Sequence, residues 1–207
     1  MGDTGLLISL DGIDGAGKST QVKLLSEWFE RRGRTVIAPR DPGSTALGEA
    51  LREILLHRQE IPLSMTAEML LYMASRAQLV RQIIQPALQA GQVVLADRYL
   101  LANVVYQGCA GGEEVEHVWQ VGRIATAGLM PHLTCVLDLP VSMAMSRLTR
   151  GLDRLESRGE AYFQRVREGF VQQAQRLGEA AVIIDAAVPP QDIHAQLVAA
   201  IADRLLG

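Results

Sequence analysis

The segment Gly12-Ile13-Asp14-Gly15-Ala16-Gly17-Lys18-Ser19-Thr20 constrains this chain more than any other. It fits the spacing G-x-x-x-x-G-K-[ST], follows the apolar run Leu6–Leu10 and opens into a stretch with Val22, Leu25, Trp28 and Phe29 on one helical face. A loop in that setting curls so that successive backbone N–H groups and the helix N-terminus face one anion. Gly12, Gly15, Ala16 and Gly17 leave room for the curl, with Asp14 and Thr20 on the same loop. Lys18 is then placed to reach β- and γ-phosphates, and Ser19 to ligate the Mg²⁺ of a nucleotide such as ATP.

The remaining sequence supplies a frame for such a loop. Short apolar runs recur at Leu6–Leu10, Thr35–Ala38, Val93–Ala96, Thr134–Leu139 and Val182–Ile184, and look like strands buried on both faces. Helical spacing fills the intervals, as with Ile193, Leu197, Ile201 and Leu205. Strands alternating with helices predict a parallel sheet of about five strands covered on both sides. No repeat, low-complexity tract or Pro/Gly-rich linker divides the 207 residues, so residues 1–207 read as a single domain. Sheets of this kind bind ligands beyond the carboxyl ends of their strands, which points to the loops after Leu10, Ala38, Ala96 and Leu139.

Charge and composition narrow the classes further. No apolar run approaches the roughly 20 residues a membrane-spanning helix needs, and no Lys or Arg precedes Lys18 as a secretory signal requires. Cys109 and Cys135 make no Cys-x-x-Cys pair, and the four histidines, His57, His117, His132 and His194, have no ligand spacing. A cytoplasmic protein with reduced thiols is expected. The net charge of −3 and 4% aromatic content argue against a broad nucleic-acid surface. Among the 20 basic residues, only Lys18 and Lys23 are lysine, so an Asn-Lys-x-Asp guanine reader cannot be present.

Two further clusters bear on chemistry. Val93-Val94-Leu95-Ala96 ends in Asp97-Arg98-Tyr99, an acid at a strand tip where phosphate-loop enzymes place a Mg²⁺-organising carboxylate. Asp138 competes for that role; Asp97 is favoured because Arg98 follows it. Arg147, Arg150, Arg154 and Arg158 would share one face if their stretch is helical, with Asp153, Glu156 and Glu160 on other sides. A cationic stripe with no acid to offset it suits an anionic partner, and Gly151 would let residues 147–160 act as a lid.

Taken together the segments resemble thymidylate kinase of the bacterial type, over essentially the whole chain. The matching stretches are DGIDGAGKST at 11–20, RDPGSTALGEALREILL at 40–56, AEMLLYMASRAQLV at 67–80, DRYLLANVVYQG at 97–108, LTCVLDLP at 133–140 and GLDRLESRGEAYFQRVREGF at 151–170. The resemblance implies the nucleoside monophosphate kinase fold, in-line phosphoryl transfer from ATP with Mg²⁺ to dTMP, and a homodimer. It puts Tyr72 where an aromatic ring stacks on thymine and Arg76 where an arginine bonds the base. Asn103 and Gln107 match positions that read the pyrimidine edge, and Tyr106 the ring that crowds the 2′ position of the sugar. Asp14 resembles the acid near the dTMP sugar and the metal shell, Arg52 and Arg98 the arginines on the acceptor phosphate, and Arg40-Asp41-Pro42-Gly43 a second phosphate-side loop.

Without the resemblance, Asn103 and Gln107 read as surface polar residues, Arg40 and Arg52 as solvated arginines, and Asp14 as a turn residue. Relatives usually carry Glu and Gly where this chain has Asp41 and Ser44. One residue is missing before Asp153, so Arg150 and Arg154 compete for the catalytic place. Members with a catalytic arginine in the phosphate loop have a basic residue matching Gly15; here that arginine is expected from the lid. Kinases of another monophosphate or of a nucleoside, and a non-catalytic ATP-binding regulator, remain the alternatives.

Overall fold

The structure is a computed structural model that describes residues 4–147 and 158–206. Five parallel strands form its centre: β1 (Leu6–Asp11), β2 (Val36–Ile37), β3 (Val93–Asp97), β4 (Leu133–Asp138) and β5 (Ala181–Asp185), in the order β2-β3-β1-β4-β5. Around them lie α1 (Lys18–Glu30), α2 (Ala46–Leu56), α3 (Met65–Leu79), α4 (Gln85–Gln89), α5 (Leu100–Asn103), α6 (Val115–Ala125), α7 (Val141–Arg147), α8 (Glu160–Leu177) and α9 (Pro190–Leu205). Among the described residues no helix is long and apolar enough to cross a membrane.

The three inner strands are the most apolar and the most buried. Leu7, Ile8 and Leu10 of β1, Val93, Val94, Leu95 and Ala96 of β3, and Leu133, Cys135 and Val136 of β4 have no exposed surface. The flanking pair departs from the expected two-sided burial. Only Val36 and Ile37 form β2, both half-buried, and β5 leaves Ile183 39% exposed, because each edge strand has a neighbour on one side only.

β1 pairs with β3 from Leu6↔Val93 and with β4 from Ile8↔Leu133. After β1 the chain winds to one side of it and after β3 to the other, so the crevice at the carboxyl end of β1 is the topological switch point. Helix starts reflect that position. Thr45 caps α2 by accepting from Gly48 N (2.9 Å) and Ser64 caps α3 by accepting from Ala67 N (3.2 Å), whereas α1 has no side-chain cap. Its first-turn donors face the crevice, as an anion site requires.

A wide helical turn at Val104–Cys109 continues α5. Such π turns shift the phase of side chains and recur at functional sites. Here the turn carries Tyr106 and Gln107, directly after Asn103. Of the expected arginine face over 147–160, Arg147 closes the described part of α7 and Arg158 stands just before Gly159, whose φ of 86° precedes α8. Arg150 and Arg154 lie outside the described residues.

Candidate active site

A cleft of about 770 Å³ opens at the carboxyl end of the sheet. Its walls come from the loop after β1, the 40–56 segment, α3, the Asp97–Gln107 segment and the start of α9. That size and mixed lining suit a nucleotide-sized ligand.

The loop after β1 takes the curled form its glycines allow. Gly12 has φ 133°, and a β-carbon there would sit 2.5 Å from the Leu137 carbonyl oxygen. Ile13 and Ala16 pack into the core, anchoring the curl from below. Of the expected loop residues, Asp14, Gly15, Ala16, Gly17, Lys18, Ser19 and Thr20 line the cleft, and Gly12 lies behind them. Lys18 Nζ donates to the carbonyls of Gly12 (3.1 Å) and Ile13 (2.9 Å). Burial and the nearby Arg98 charge push its ammonium down to about 8, against the pull of Asp14, Asp97 and Asp11.

Ser19 Oγ donates to Asp97 Oδ2 at 2.8 Å, so the two expected Mg²⁺ ligands meet. A hydroxyl and a carboxylate oxygen at the mouth of an anion cradle are hard donors of the kind Mg²⁺ takes. Asp138, the competing acid, is otherwise engaged: both its oxygens accept from Arg167, at 2.7 and 2.9 Å.

Arg98 sits in the left-handed backbone region with φ 72°, which is strained for a residue with a β-carbon. Its guanidinium donates to Gly12 O (3.0 Å), Asp14 Oδ1 (2.8 Å) and Tyr106 Oη (3.0 Å). Tyr106 Oη in turn donates to Asp14 Oδ2 at 3.1 Å. Burial opposes charge on Asp14, but the Arg98 and Lys18 charges and these hydrogen bonds outweigh it and hold the carboxyl well below its usual range. Asp14, Arg98 and Tyr106 therefore form one rigid, charged triad beside the loop.

A second polar group lies deeper in the cleft. Arg76, 1% exposed, donates from Nε to Asp41 Oδ2 at 2.6 Å and from Nη1 to Asn103 Oδ1 at 2.5 Å. Asn103 Nδ2 donates to Gln107 Oε1 at 2.8 Å. Asn103 and Gln107 are thus buried, not surface residues as their types alone suggest. Tyr72, 7% exposed, and Arg76 line the same end of the cleft, one helical turn apart on α3. Asp41, which also lines the cleft, is the buried counterion of Arg76, which explains a carboxylate at that position. Removing one partner of a buried ion pair costs about 3–5 kcal/mol. Asp41→Ala is therefore expected to lower the melting temperature by about 10 °C in thermal unfolding; a drop of less than about 2 °C contradicts the assignment.

The outer arginines divide. Arg40 is exposed, donates to both Glu49 oxygens (3.1 and 3.0 Å) and still reaches the cleft wall. Arg52 is half-buried and donates to Pro42 O at 3.0 Å. Ser44 adopts φ 63° and is held by accepting from Arg40 N at 2.8 Å. Arg147 lines the cleft and donates to Gly15 O at 3.2 Å. Arg158 does not belong to an unopposed stripe: its Nη2 donates to Glu68 Oε2 at 2.6 Å, an acid contributed by α3 that the spacing along 147–160 could not reveal.

One wall escaped the sequence reading. Val188, Pro190 and Ile193 line the cleft, and Gln21 Nε2 donates to Pro190 O at 2.8 Å. The rule that ligands bind past strand ends covers the loop after β5 as well as the four named, and applying it there would have found these residues.

Comparison with known proteins gives a consistent picture. The family model described as thymidylate kinase matches residues 10–197. A thymidylate kinase of Kosmotoga olearia is 43% identical over 195 residues, covering 93% of each chain. One of Caldanaerobacter subterraneus is 42% identical over 204 residues, covering 98% of each. The crystal structure of thymidylate kinase from Ehrlichia chaffeensis superimposes with a TM-score of 0.78 at 24% identity, covering 96% of this chain and 99% of that one, and so supports the fold. With the phosphate loop, the Asp97-Arg98 edge and the buried polar pocket in place, the matched length and identity show that this chain belongs to the thymidylate kinase family.

Proposed function

We propose that the protein transfers the γ-phosphoryl group of ATP directly to the phosphate of dTMP, giving ADP and dTDP. The observation that carries this reading is one continuous cleft with two ends of different character. One end is a curled anion cradle around Lys18, and the other a buried pocket with Tyr72, Arg76, Asn103 and Gln107. Arg98 lies between them.

In this reading the triphosphate rests on the amides of residues 12–20 with Lys18 on its β- and γ-phosphates, and Arg147, Val188, Pro190 and Ile193 flank the ATP side. Thymine stacks on Tyr72, with Arg76 donating to a base carbonyl and Asn103 and Gln107 on the pyrimidine edge. Tyr106 crowds the sugar and Asp14 lies beside it, while Arg98, Arg52 and the Arg40–Gly43 loop grip the acceptor phosphate. Mg²⁺, carried by the nucleotide, would be held by Ser19 and Asp97 and would neutralise charge on the β- and γ-oxygens. The rest is positioning: the protein brings two polyanions end to end and spreads cationic donors over the charge between them. Arg150 or Arg154 supplies the last of these.

The deciding experiment is ADP release across a panel of nucleoside monophosphates. Preference for dTMP supports the reading, and equal or greater turnover with CMP or AMP overturns it. ATP turnover independent of any monophosphate, or polynucleotide binding that survives physiological salt, favours the regulator or binding module instead.

Lys18 gives a pH test. The free enzyme loses the Lys18 proton above about pH 8, while bound phosphates hold it on. Accordingly kcat/KM for ATP should fall with an alkaline limb near 8, and kcat should stay flat across that limb. Stability moves the other way, rising from about pH 8 towards 10.5, because there the unfolded chain binds the extra proton. A kcat/KM profile flat to pH 9.5 contradicts the role. A homodimer is also proposed on the family resemblance, and sedimentation at micromolar concentration checks it.

A further inference from the structure

The hydrogen bonds of the inner pocket run on beyond the cleft wall to a charged end. Gln107 Nε2 donates to Glu68 Oε1 at 2.8 Å, and Glu68 Oε2 accepts from Arg158 Nη2 at 2.6 Å. Arg158 Nη1 donates to Tyr162 Oη at 3.0 Å, and that hydroxyl donates to the Tyr106 carbonyl at 2.8 Å. Neither Glu68 nor Arg158 lines the cleft, and the Glu68 side chain is 2% exposed.

The order of donors along this chain is dictated by its ends. A guanidinium can only donate and a carboxylate can only accept, whereas an amide presents oxygen on one side and nitrogen on the other. Arg76 therefore forces Asn103 to turn its oxygen inward, and Glu68 forces Gln107 to turn its nitrogen outward. The two amides then meet nitrogen to oxygen, as observed at 2.8 Å. Without an acceptor at position 68, the buried Gln107 nitrogen would be left unpaired, and the single bond from Asn103 Nδ2 would be all that holds the amide in its sense.

We infer that Glu68, with Arg158 as its counterion, is a specificity-positioning residue that pins the outer end of the Gln107 amide, completing the polarity that Arg76 imposes through Asn103 on the pair read by the pyrimidine edge. This rests on the proposed dTMP site. Thymine offers a carbonyl acceptor at position 4 and an N–H at position 3; cytosine offers an amino donor and an unprotonated nitrogen. The two edges are opposite in polarity, so an amide pair locked in one sense accepts one base and meets the other with donor against donor. Discrimination built on leaving buried polar groups unpaired is the strong kind.

Two double variants separate polarity from packing, because Gln and Met have nearly the same length and both variants lose the ion pair. Glu68→Gln with Arg158→Met keeps an oxygen for Gln107 and no longer has a cation competing for it. Glu68→Met with Arg158→Met removes the acceptor. Measured as the ratio of kcat/KM for dTMP to that for dCMP, selectivity should stay near the wild-type value in the Gln/Met protein. It should fall about tenfold in the Met/Met protein, the scale of one misdirected buried hydrogen bond. The difference in thermal stabilisation by dTMP and by dCMP gives the same comparison where turnover is low. Equal selectivity in the two variants overturns the inference, since a purely structural ion pair affects both alike. A wild-type protein that does not favour dTMP sinks the dTMP reading itself, before any variant is compared.

Discussion

Arg98→Ala should lower kcat/KM for dTMP by about a thousandfold or more, the scale of an arginine that stabilises a transferring phosphoryl group. Its side chain ties together Gly12, Asp14 and Tyr106, so it is held in place before any substrate arrives. Donors fixed in advance need no reorganisation as charge develops, which is why they count for more than donors recruited from solvent. The backbone at φ 72° is equally strained for Arg and Ala, so the substitution reports on the side chain. Arg98→Lys should recover only part of the loss, because one ammonium cannot span three acceptors set around a planar fork.

A stability readout accompanies the kinetic one. Asp14's depressed carboxyl adds stability that is complete above its ordinary value of 3.8 and drains away only as pH falls well below it. Without Arg98 that protection narrows, and acid unfolding should begin at higher pH. Near-normal turnover in Arg98→Ala, with wild-type folding, contradicts the assignment.

The second large effect concerns residues 150 and 154. Arg154→Ala or Arg150→Ala should reduce kcat a hundredfold or more with little change in KM for dTMP, the pattern of an interaction made only in the transition state. The loop cannot supply this arginine itself: Gly15 has φ 82°, and a β-carbon there would lie 2.8 Å from the Ala144 carbonyl oxygen. Arg158 is committed to Glu68. Single-turnover rates with both nucleotides saturating check the prediction, and two single variants with near-normal turnover contradict it.

What was legible in the sequence follows from how local each signal is. The five strands and the loop after β1 were readable because continuous apolar runs and glycine spacing are properties of short segments. Pairings across long separations were not. Nothing near Asp138 announces Arg167, and nothing between residues 147 and 160 announces Glu68, yet these contacts decide that Asp97 rather than Asp138 meets Ser19 and that Arg158 is an anchor. Asn103 and Gln107 read as surface residues from their polarity, because burial of an amide depends on partners that only the fold assembles. Asp41 shows the same limit: its carboxylate was visible, its pairing with Arg76 was not.

The central claim is that two nucleotides lie end to end in this cleft with their phosphates meeting at Arg98. A crystal structure with dTMP and a non-hydrolysable ATP analogue tests it most directly. The account predicts thymine on Tyr72 against Arg76 and Asn103, the triphosphate on residues 12–20, and the acceptor phosphate on Arg98 in line with the γ-phosphate. Thymine outside the Tyr72 pocket, or an acceptor phosphate turned away from the γ-phosphate, would contradict it.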